Sequence, residues 1–205
     1  MFCIEQIYSQ KQEIKKSTFI SYLCPFYEFE HLHKQLKAEH PKAVHIVWAY
    51  RHYNKYLQIV ENLSDDGEPK GSSGAPSLDA LRGAGLIDVA VFIVRYFGGI
   101  KLGVGGLVRA YSSSVNLAIA NAELIKFEIK DECRFFVPFA LISRFLHYFE
   151  KSNLSDISKD FTLDGCEFEF KFTQNEFFDF WNFSKQFLQS GFSILAVPLS
   201  AKNLF

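Results

Sequence analysis

The sequence lacks an excess of charge of either sign. Its 205 residues include 22 Lys and Arg against 23 Asp and Glu, which gives a formal net charge of -1. Domains that bind nucleic acid through their overall charge are usually far more basic. An anionic partner would therefore have to be held by a local cluster of basic side chains.

The sequence also lacks paired cysteines and long apolar segments. Its four cysteines, Cys3, Cys24, Cys133 and Cys166, form no CxxC pair, which argues against a zinc knuckle and favours reduced, mostly buried thiols. The longest aliphatic and aromatic run, residues 89–94, is too short to cross a bilayer, and the amino-terminal residues contain no apolar segment typical of a signal peptide. We therefore expect a cytoplasmic protein with no membrane association.

Apolar and aromatic residues are abundant instead, and their distribution divides the chain in two. Hydrophobic residues make up 48% of the chain, which is enough for a packed core. Sixteen of the 23 Phe follow residue 130, whereas ten of the 12 Gly precede residue 131. This change in composition predicts two domains, residues 1–130 and 131–205, with no Pro- or Ser-rich linker between them.

Residues 131–205 predict the order β-α-β-β-α-β, the ferredoxin-like plan. Residues 167–172 (EFEFKF) alternate strictly and indicate a strand with one apolar face, preceded by a hairpin turn at Asp164-Gly165. Its three Phe are expected to face the helices, so that two Glu and one Lys form an acidic outer face that would repel RNA. A helix over about 174–189, ended by Gly191, follows.

The first 130 residues mix extended and helical patterns. Extended segments are expected at 17–24, 44–53, 55–62 and 89–97, and helices at 28–40, at 78–83 after an opening Pro76, and at 106–121. Because the segment 89–97 is apolar on both faces, it should be an interior strand.

One of these strands carries a candidate site residue at each end. His45, Val47, Ala49 and Arg51 share one face of the strand. Val44, Ile46, Trp48 and Tyr50 share the other, which resembles core. This alternation would leave His45 and Arg51 on a polar face. A lone histidine on a strand is more often a structural hydrogen-bonding group than a catalyst.

A glycine-rich segment, RYFGGIKLGVGGLVRAY at residues 95–111, joins the interior strand to a helix. Free N–H groups at such a helix start attract anions, and neighbouring Lys and Arg could add charge. The phosphate-loop pattern GxxxxGK[ST] and the dinucleotide pattern GxGxxG both fail here, and an architectural role in which glycines permit positive φ and close packing is favoured. The candidate anion-binding residues are Arg95, Gly98, Gly99, Lys101, Gly103, Gly105, Gly106 and Arg109, together with His45, Arg51 and Lys70.

The acidic segment SDDGEP places Asp65, Asp66 and Glu68 within four residues. These carboxylates could hold Mg²⁺ or act as acid and base. Their spacing does not match an EF-hand, and pairing with arginines across a cleft, among them Arg95, is favoured over a metal. We therefore expect neither a metal nor a cofactor.

Taken together, these segments resemble the YigZ/IMPACT family. The matching residues, in family order, are Lys16-Ser17-Thr18-Phe19, residues 43–51 (AVHIVWAYR), residues 64–76 (SDDGEPKGSSGAP) and residues 94–111 (VRYFGGIKLGVGGLVRAY). One departure is Ala75, which stands where the family usually has a basic residue and weakens the case for an anion at that position.

The resemblance implies an α+β protein with two domains. The first would resemble the second domain of a small-subunit ribosomal protein, an α/β sandwich, and the second would be ferredoxin-like with the order βαββαβ. Eukaryotic members are implicated in controlling translation through a starvation-responsive initiation-factor kinase pathway. The family therefore implies a non-enzymatic binding module for RNA, the ribosome or a translation factor, acting in the regulation of translation.

Two other functions are compatible with the residues. The acidic loop, His45 and the glycine segment could form a phosphate-handling or hydrolytic cleft. The many Phe could instead build an exposed contact surface of a protein-interaction adaptor. A shared recognition surface requires that Asp66 and Arg95 lie on the same side of the molecule. The sequence does not define the oligomeric state.

Overall fold

The computed structural model describes residues 1–198, and the chain divides into two units, Met1–Phe127 and a second that begins at Glu128. The first unit contains seven strands and three helices among its described residues. They are β1 Phe2–Cys3, β2 Tyr8–Ile14, β3 Ser17–Pro25, α1 Phe29–Glu39, β4 His45–Tyr53, β5 Ile59–Ser64, α2 Gly74–Gly83, β6 Val89–Tyr96, α3 Val104–Ala120 and β7 Ile125–Lys126.

Five antiparallel strands form the main sheet of the first unit, in the order β2-β3-β6-β4-β5. The central strand is β6, whose residues Val89–Arg95 are all buried. A run of apolar residues on both faces suits a strand covered by helices on both sides. The prediction of an interior strand here is confirmed.

Helices cover both faces of this sheet. On one face, Leu32 and Leu36 of α1 pack against Phe92 of β6. On the other face, Leu107 and Tyr111 of α3 join a core that also includes residues of α2. Each fully buried side chain of this size contributes about 1.5–3 kcal/mol relative to an exposed one.

The covered sheet corrects the expectation of a polar face on β4. Val47 and Ala49 are fully buried beneath the α2 and α3 layer, so their face is core. His45 and Arg51 lie at the two ends of that face. Val44, expected in the core, is exposed. Strand alternation alone could not reveal this, because both faces of β4 are covered.

Strand β2 has no counterpart in the sequence-based assignment. Its residues, YSQKQEI, are mostly polar because it is an edge strand of the sheet. It pairs with β3 through a two-residue turn at Lys15 and Lys16. Helix α2 begins at Gly74, two residues before the Pro76 that was expected to open it, and α3 begins at Val104, two residues before the expected start at 106.

The second unit has the ferredoxin-like order that the sequence predicted. Its elements are β8 Asp131–Pro138, α4 Phe139–Lys151, β9 Ser158–Phe161, β10 Gly165–Phe172, α5 Gln174–Ser184 and β11 Ser193–Ala196, with the sheet order β11-β8-β10-β9. The helix expected over 174–189 is an α-helix only to Ser184 and continues as a 3-10 segment, Lys185–Ser190. Gly191, in the left-handed region, follows it as predicted.

Phenylalanine fills the core of the second unit. Phe168, Phe170 and Phe172 of β10 are buried among aromatic rings contributed by α4 and α5. Glu169 and Lys171 are exposed on the opposite face of the strand, as expected. The sheet therefore presents no stacking platform of exposed Phe from β10. Within residues 1–198, no helix is both long and apolar enough to cross a membrane.

Candidate functional site

Separated segments of the first unit meet at one end of its sheet. His45 at the start of β4 lies opposite Arg95 at the end of β6. Asp66 is linked to the same strand, because its Oδ2 accepts a hydrogen bond of 2.6 Å from the backbone N–H of Ile46. Glu68 contacts Arg95 directly. Asp66 and Arg95 therefore lie on the same side of the unit, the arrangement that a shared surface requires.

Glu68 is the centre of a buried polar network. Its Oε1 accepts hydrogen bonds from Nη1 of Arg95 and from the Tyr111 hydroxyl, the latter at 2.8 Å. Nε2 of His45 lies 3.8 Å from the same oxygen. Burial, reinforced by the Glu68 charge, raises the pKa of Tyr111 well above its ordinary value, so its hydroxyl stays a donor.

Arg95 is held between aromatic rings. Its guanidinium carbon lies 5.5 Å from the ring centre of Phe19 and 5.8 Å from that of Phe97. Only 6% of the residue is exposed. Its Nε is buried and has no hydrogen-bond partner within residues 1–198. Arg95 is therefore an interior residue paired with Glu68, and a large ligand cannot reach its charge.

Asp65 caps helix α2. Its carboxylate accepts hydrogen bonds from the N–H groups of Gly71, Ser73 and Gly74 and from the Ser73 hydroxyl, at 2.7–3.2 Å. Burial by itself would raise the pKa of Asp65, but these bonds outweigh it and lower the pKa below its ordinary value. The carboxylate thus occupies the positive end of the helix, where an external anion would otherwise bind.

Asp66 fixes the position of His45. The Asp66 carbonyl lies 2.6 Å from Nδ1 of His45. A carbonyl only accepts hydrogen bonds, so this nitrogen carries a proton. Asp66 itself adopts a φ of 44°, in the left-handed region. With these bonds, all three carboxylates of the acidic loop have partners inside the unit.

The expected pairing of the acidic loop with arginine is confirmed for Glu68 and Arg95. Asp65 and Asp66 bind backbone groups instead. Within the described chain, no group of three or more His, Cys, Asp or Glu side chains is arranged to hold a metal ion. Through these hydrogen bonds and the ion pair, the acidic loop joins α2, β4 and β6.

The glycine turn, residues 97–103, connects β6 to α3. Gly98 lies so close to the β2–β3 turn that a Cβ there would be 2.0 Å from the Lys16 carbonyl group. Gly103 precedes the helix with a φ of 72° and offers no side chain to cap it. Gly98 and Gly103 are therefore required by the architecture, as the sequence suggested.

Gly99, Gly105 and Gly106 have weaker steric requirements. Gly99 adopts a φ of 84°, but nothing lies within 4 Å of a Cβ built on it. A Cβ on Gly106 would lie 3.1 Å from the Cβ of Leu102, and one on Gly105 would lie 3.8 Å from Nη1 of Arg109. Arg109 thus folds back beside the first turn of α3.

Three of the candidate basic residues face solvent on segments that meet at this end of the unit. Lys101 lies in the glycine turn, Arg109 lies on α3, and Lys70 lies in the loop after β5. None of them forms an ion pair with another residue in the described range 1–198. The site is therefore a surface with exposed cations and the exposed Asp66, next to Asp65 and the buried Glu68, whose carboxylates are bonded within the unit.

Comparison with known proteins identifies the family to which this part of the chain belongs. Residues 15–119 match the model of the Impact N-terminal domain. The chain belongs to this family. All fourteen candidate site residues fall within the matched range.

Curated IMPACT family members align with the same part of the chain. A member from Haemophilus influenzae is 44% identical over 125 residues, which cover 60% of this chain and 59% of the relative. YigZ from Escherichia coli is 42% identical over 113 residues, 53% of this chain and 54% of YigZ. The matches thus span little more than half the length of each relative.

A solved structure matches over nearly the whole chain. It is a crystal structure described as that of an hypothetical protein, with a TM-score of 0.69 and 26% sequence identity, and the alignment covers 97% of both chains. The α+β architecture of this IMPACT family member is therefore shared along its length.

The candidate Arg51 does not lie with the others. It is six residues along β4 from His45, about 20 Å at the usual rise of a strand. Its Nε bonds to Glu61 at 2.6 Å, and its Nη1 bonds to the Leu86 carbonyl at 2.8 Å. The sequence grouped Arg51 with the other candidates because strand alternation gives the face of a residue but not the end of the sheet at which it lies.

Two participants were missed from the sequence. Tyr111 is not among the candidate site residues, yet its hydroxyl donates a hydrogen bond to Glu68. Ser17 is fully buried, and its hydroxyl accepts a hydrogen bond of 3.2 Å from Gly98. Only the position of Ser17 and Tyr111 within the IMPACT motifs could have indicated that they belong to the site.

Proposed function

We propose that the first unit of this IMPACT family member is a non-enzymatic binding module for RNA, free or within the ribosome, acting in the cytoplasm in the regulation of translation. The observation that carries the proposal is the separation of charge at the glycine turn. The three carboxylates of the acidic loop accept hydrogen bonds within the unit, and Glu68 is buried, whereas Lys70, Lys101 and Arg109 face solvent without ion pairs in residues 1–198.

Such a surface suits the phosphate groups of RNA. Exposed Lys and Arg side chains supply most of the affinity for a nucleic-acid backbone. Exposed N–H groups at the uncapped start of α3 favour negative charge at the same place. Because the net charge of the chain is -1, the local cluster of basic side chains, and not the protein as a whole, would attract the RNA.

The hydrolytic alternative receives less support. A general acid or base needs a carboxylate that can reach a substrate. Asp65 already accepts four hydrogen bonds, and Glu68 is buried against Arg95 and Tyr111. Their arrangement stabilises the unit, and of the three carboxylates only Asp66 is exposed, with its Oδ2 already bonded to the N–H of Ile46.

A protein partner, such as a translation factor, is a second candidate, favoured by the apolar residues of the same turn. Phe97 is 48% exposed, Val104 is 61% exposed, and Ile100 is also exposed. Exposed apolar side chains grouped together commonly mark protein contacts. The experiment must therefore separate RNA from protein.

The test compares the full chain with the double variant Lys101→Ala/Arg109→Ala. Binding is measured by anisotropy with a fluorescein-labelled RNA hairpin and by co-sedimentation with purified ribosomes. We expect both to weaken at least tenfold, with a shallower dependence on salt. The matched control, Lys34→Ala/Lys37→Ala, removes two exposed charges from α1 and should change neither.

Two results would overturn the proposal. One is a wild-type protein that binds neither the hairpin nor the ribosome. The other is a double variant that binds both as wild type does. Ribosome binding that survives nuclease removal of exposed RNA and is lost in Phe97→Ser/Val104→Ser would assign the surface to a protein partner instead.

A further inference from the structure

The turn between β2 and β3 has an unfavourable sequence for its backbone. Ile14 pairs with Ser17, so Lys15 and Lys16 are the two central residues of the turn. They adopt φ values of 47° and 65°. Two positive φ values in succession define a turn for which Asn-Gly is strongly preferred, because a side chain with a Cβ is disfavoured there. Two lysines therefore strain a turn that Asn-Gly would relax.

This lysine turn, Lys15–Lys16, is packed on the glycine turn. Gly98 approaches the Lys16 carbonyl and the Ser17 nitrogen so closely that a Cβ on it would lie 2.0 and 2.4 Å from them. Gly98 also donates its N–H to the Ser17 hydroxyl. The close approach of the two backbones fixes the lysine turn beside Lys101.

The lysine side chains have no structural role that would explain the strain. Both are exposed, and neither has an ion pair or a side-chain hydrogen bond in the described part of the chain. Strain that is kept although a simple substitution would relieve it commonly marks a functional constraint. The property that lysine supplies here, and Asn-Gly does not, is positive charge.

We propose that Lys15 and Lys16 form a second contact for the backbone phosphates of the RNA that Lys101 and Arg109 engage. This inference rests on the proposed function and extends its surface to the β2–β3 turn. The two turns touch, so one RNA strand can reach both cationic groups. The two lysines thus raise the affinity for RNA and lower the stability of the turn.

The decisive variant is Lys15→Asn/Lys16→Gly, which removes both charges and relaxes the turn. We expect it to bind the labelled RNA hairpin about tenfold or more weakly. The slope of log K against log salt should become shallower by about 1.4–1.8, because each lost phosphate contact changes it by about 0.7 in single strands and about 0.9 in duplex. The Tm should rise by about 2–4 °C or more, since the strain is removed. A structural role for the lysines would predict lower stability instead.

Three further variants separate charge from backbone effects. Lys15→Gln/Lys16→Gln removes the charge and keeps the strain, so it should lose the same affinity without the rise in Tm. Lys15→Arg/Lys16→Arg keeps the charge and should bind as wild type does. Lys34→Gln/Lys37→Gln removes two exposed charges from α1 and should leave the salt slope unchanged.

The outcomes distinguish this inference from the proposed function. If Lys101→Ala/Arg109→Ala weakens RNA binding and Lys15→Asn/Lys16→Gly does not, the inference fails while the proposed function stands. An equal loss in Lys34→Gln/Lys37→Gln would attribute the effect to overall charge and would also overturn it. A wild-type chain without measurable affinity for RNA would overturn both.

Discussion

Arg95 and Glu68 form an ion pair in the interior of the first unit, with side chains only 7% and 3% exposed. A buried pair of this kind adds little net stability over an apolar pair, but breaking it leaves one charge buried without compensation. The pair joins the end of β6, where the glycine turn begins, to the acidic loop.

Glu68→Gln should strongly destabilise the protein. The variant keeps the shape of the side chain but leaves the Arg95 guanidinium without a counter-charge, which costs about 3–5 kcal/mol for a buried pair. Urea unfolding of a Trp181→Phe background, in which Trp48 of the first unit is the remaining tryptophan, followed by fluorescence, measures this change. Glu123→Gln, on an exposed residue, is the control and should change the free energy by less than about 0.5 kcal/mol. A loss below about 1 kcal/mol in Glu68→Gln would contradict this account.

Tyr111→Phe should cost less, because it removes one hydrogen bond and no charge. The hydroxyl donates to an ionised carboxylate, and such a bond contributes about 1.5–3 kcal/mol. Thermal unfolding compares it with Tyr56→Phe, which alters an exposed tyrosine. Equal Tm values for the two variants would show that the Tyr111 hydroxyl contributes nothing.

Asp65→Asn should weaken the cap of α2 in a way that depends on pH. The loss of an N-terminal capping carboxylate costs about 0.5–2 kcal/mol. Because the pKa of Asp65 is lowered from its ordinary 3.8, its stabilisation is complete above that value and disappears as the pH falls through the folded-state pKa. The difference in free energy of unfolding between wild type and Asp65→Asn should therefore be constant near pH 7 and shrink below about pH 4. A difference that does not change between pH 7 and pH 3 would contradict the assigned shift.

Gly98→Ala should destabilise the contact between the two turns. The added methyl group would overlap the Lys16 peptide, and overpacking of this kind costs about 1–3 kcal/mol. Gly83→Ala is the matched control, since nothing lies within 4 Å of a Cβ at the end of α2. The control should be neutral or slightly stabilising, because Ala favours helix over Gly. Similar Tm values for both variants would refute the close approach at Gly98.

The sequence predicted the elements whose pattern reflects their burial. The run VAVFIV identified β6 as an interior strand, and the alternation EFEFKF identified β10 with its apolar face inward. Strand β2 escaped prediction because an edge strand with a solvated face has no apolar alternation of sufficient strength.

Part of the candidate site was predictable, and part was not. The convergence of His45, Glu68 and Arg95 was inferred from the joint occurrence of three motifs. The sequence did not predict that Arg95 is buried or that Arg51 lies far from the other candidates. A sequence pattern does not give the end of the sheet at which a side chain lies. The bonds of Asp65 to the start of α2 depend on the path of the loop, which residue types alone leave undefined.

The position of β6 in the sheet also determines when, during synthesis of the chain, the sheet can assemble. Strand β3 is completed early in the chain but pairs with β6, whose residues follow some 70 positions later. Pairings across such separations form slowly, because a long loop must be closed before they contribute stability. The acidic loop and β4 precede β6 in the chain, so their contacts with Arg95 also form only after β6 has been synthesised. A nascent chain therefore cannot assemble this surface until α3 has left the exit tunnel, and a fragment that stops before β6 would lack the proposed binding surface.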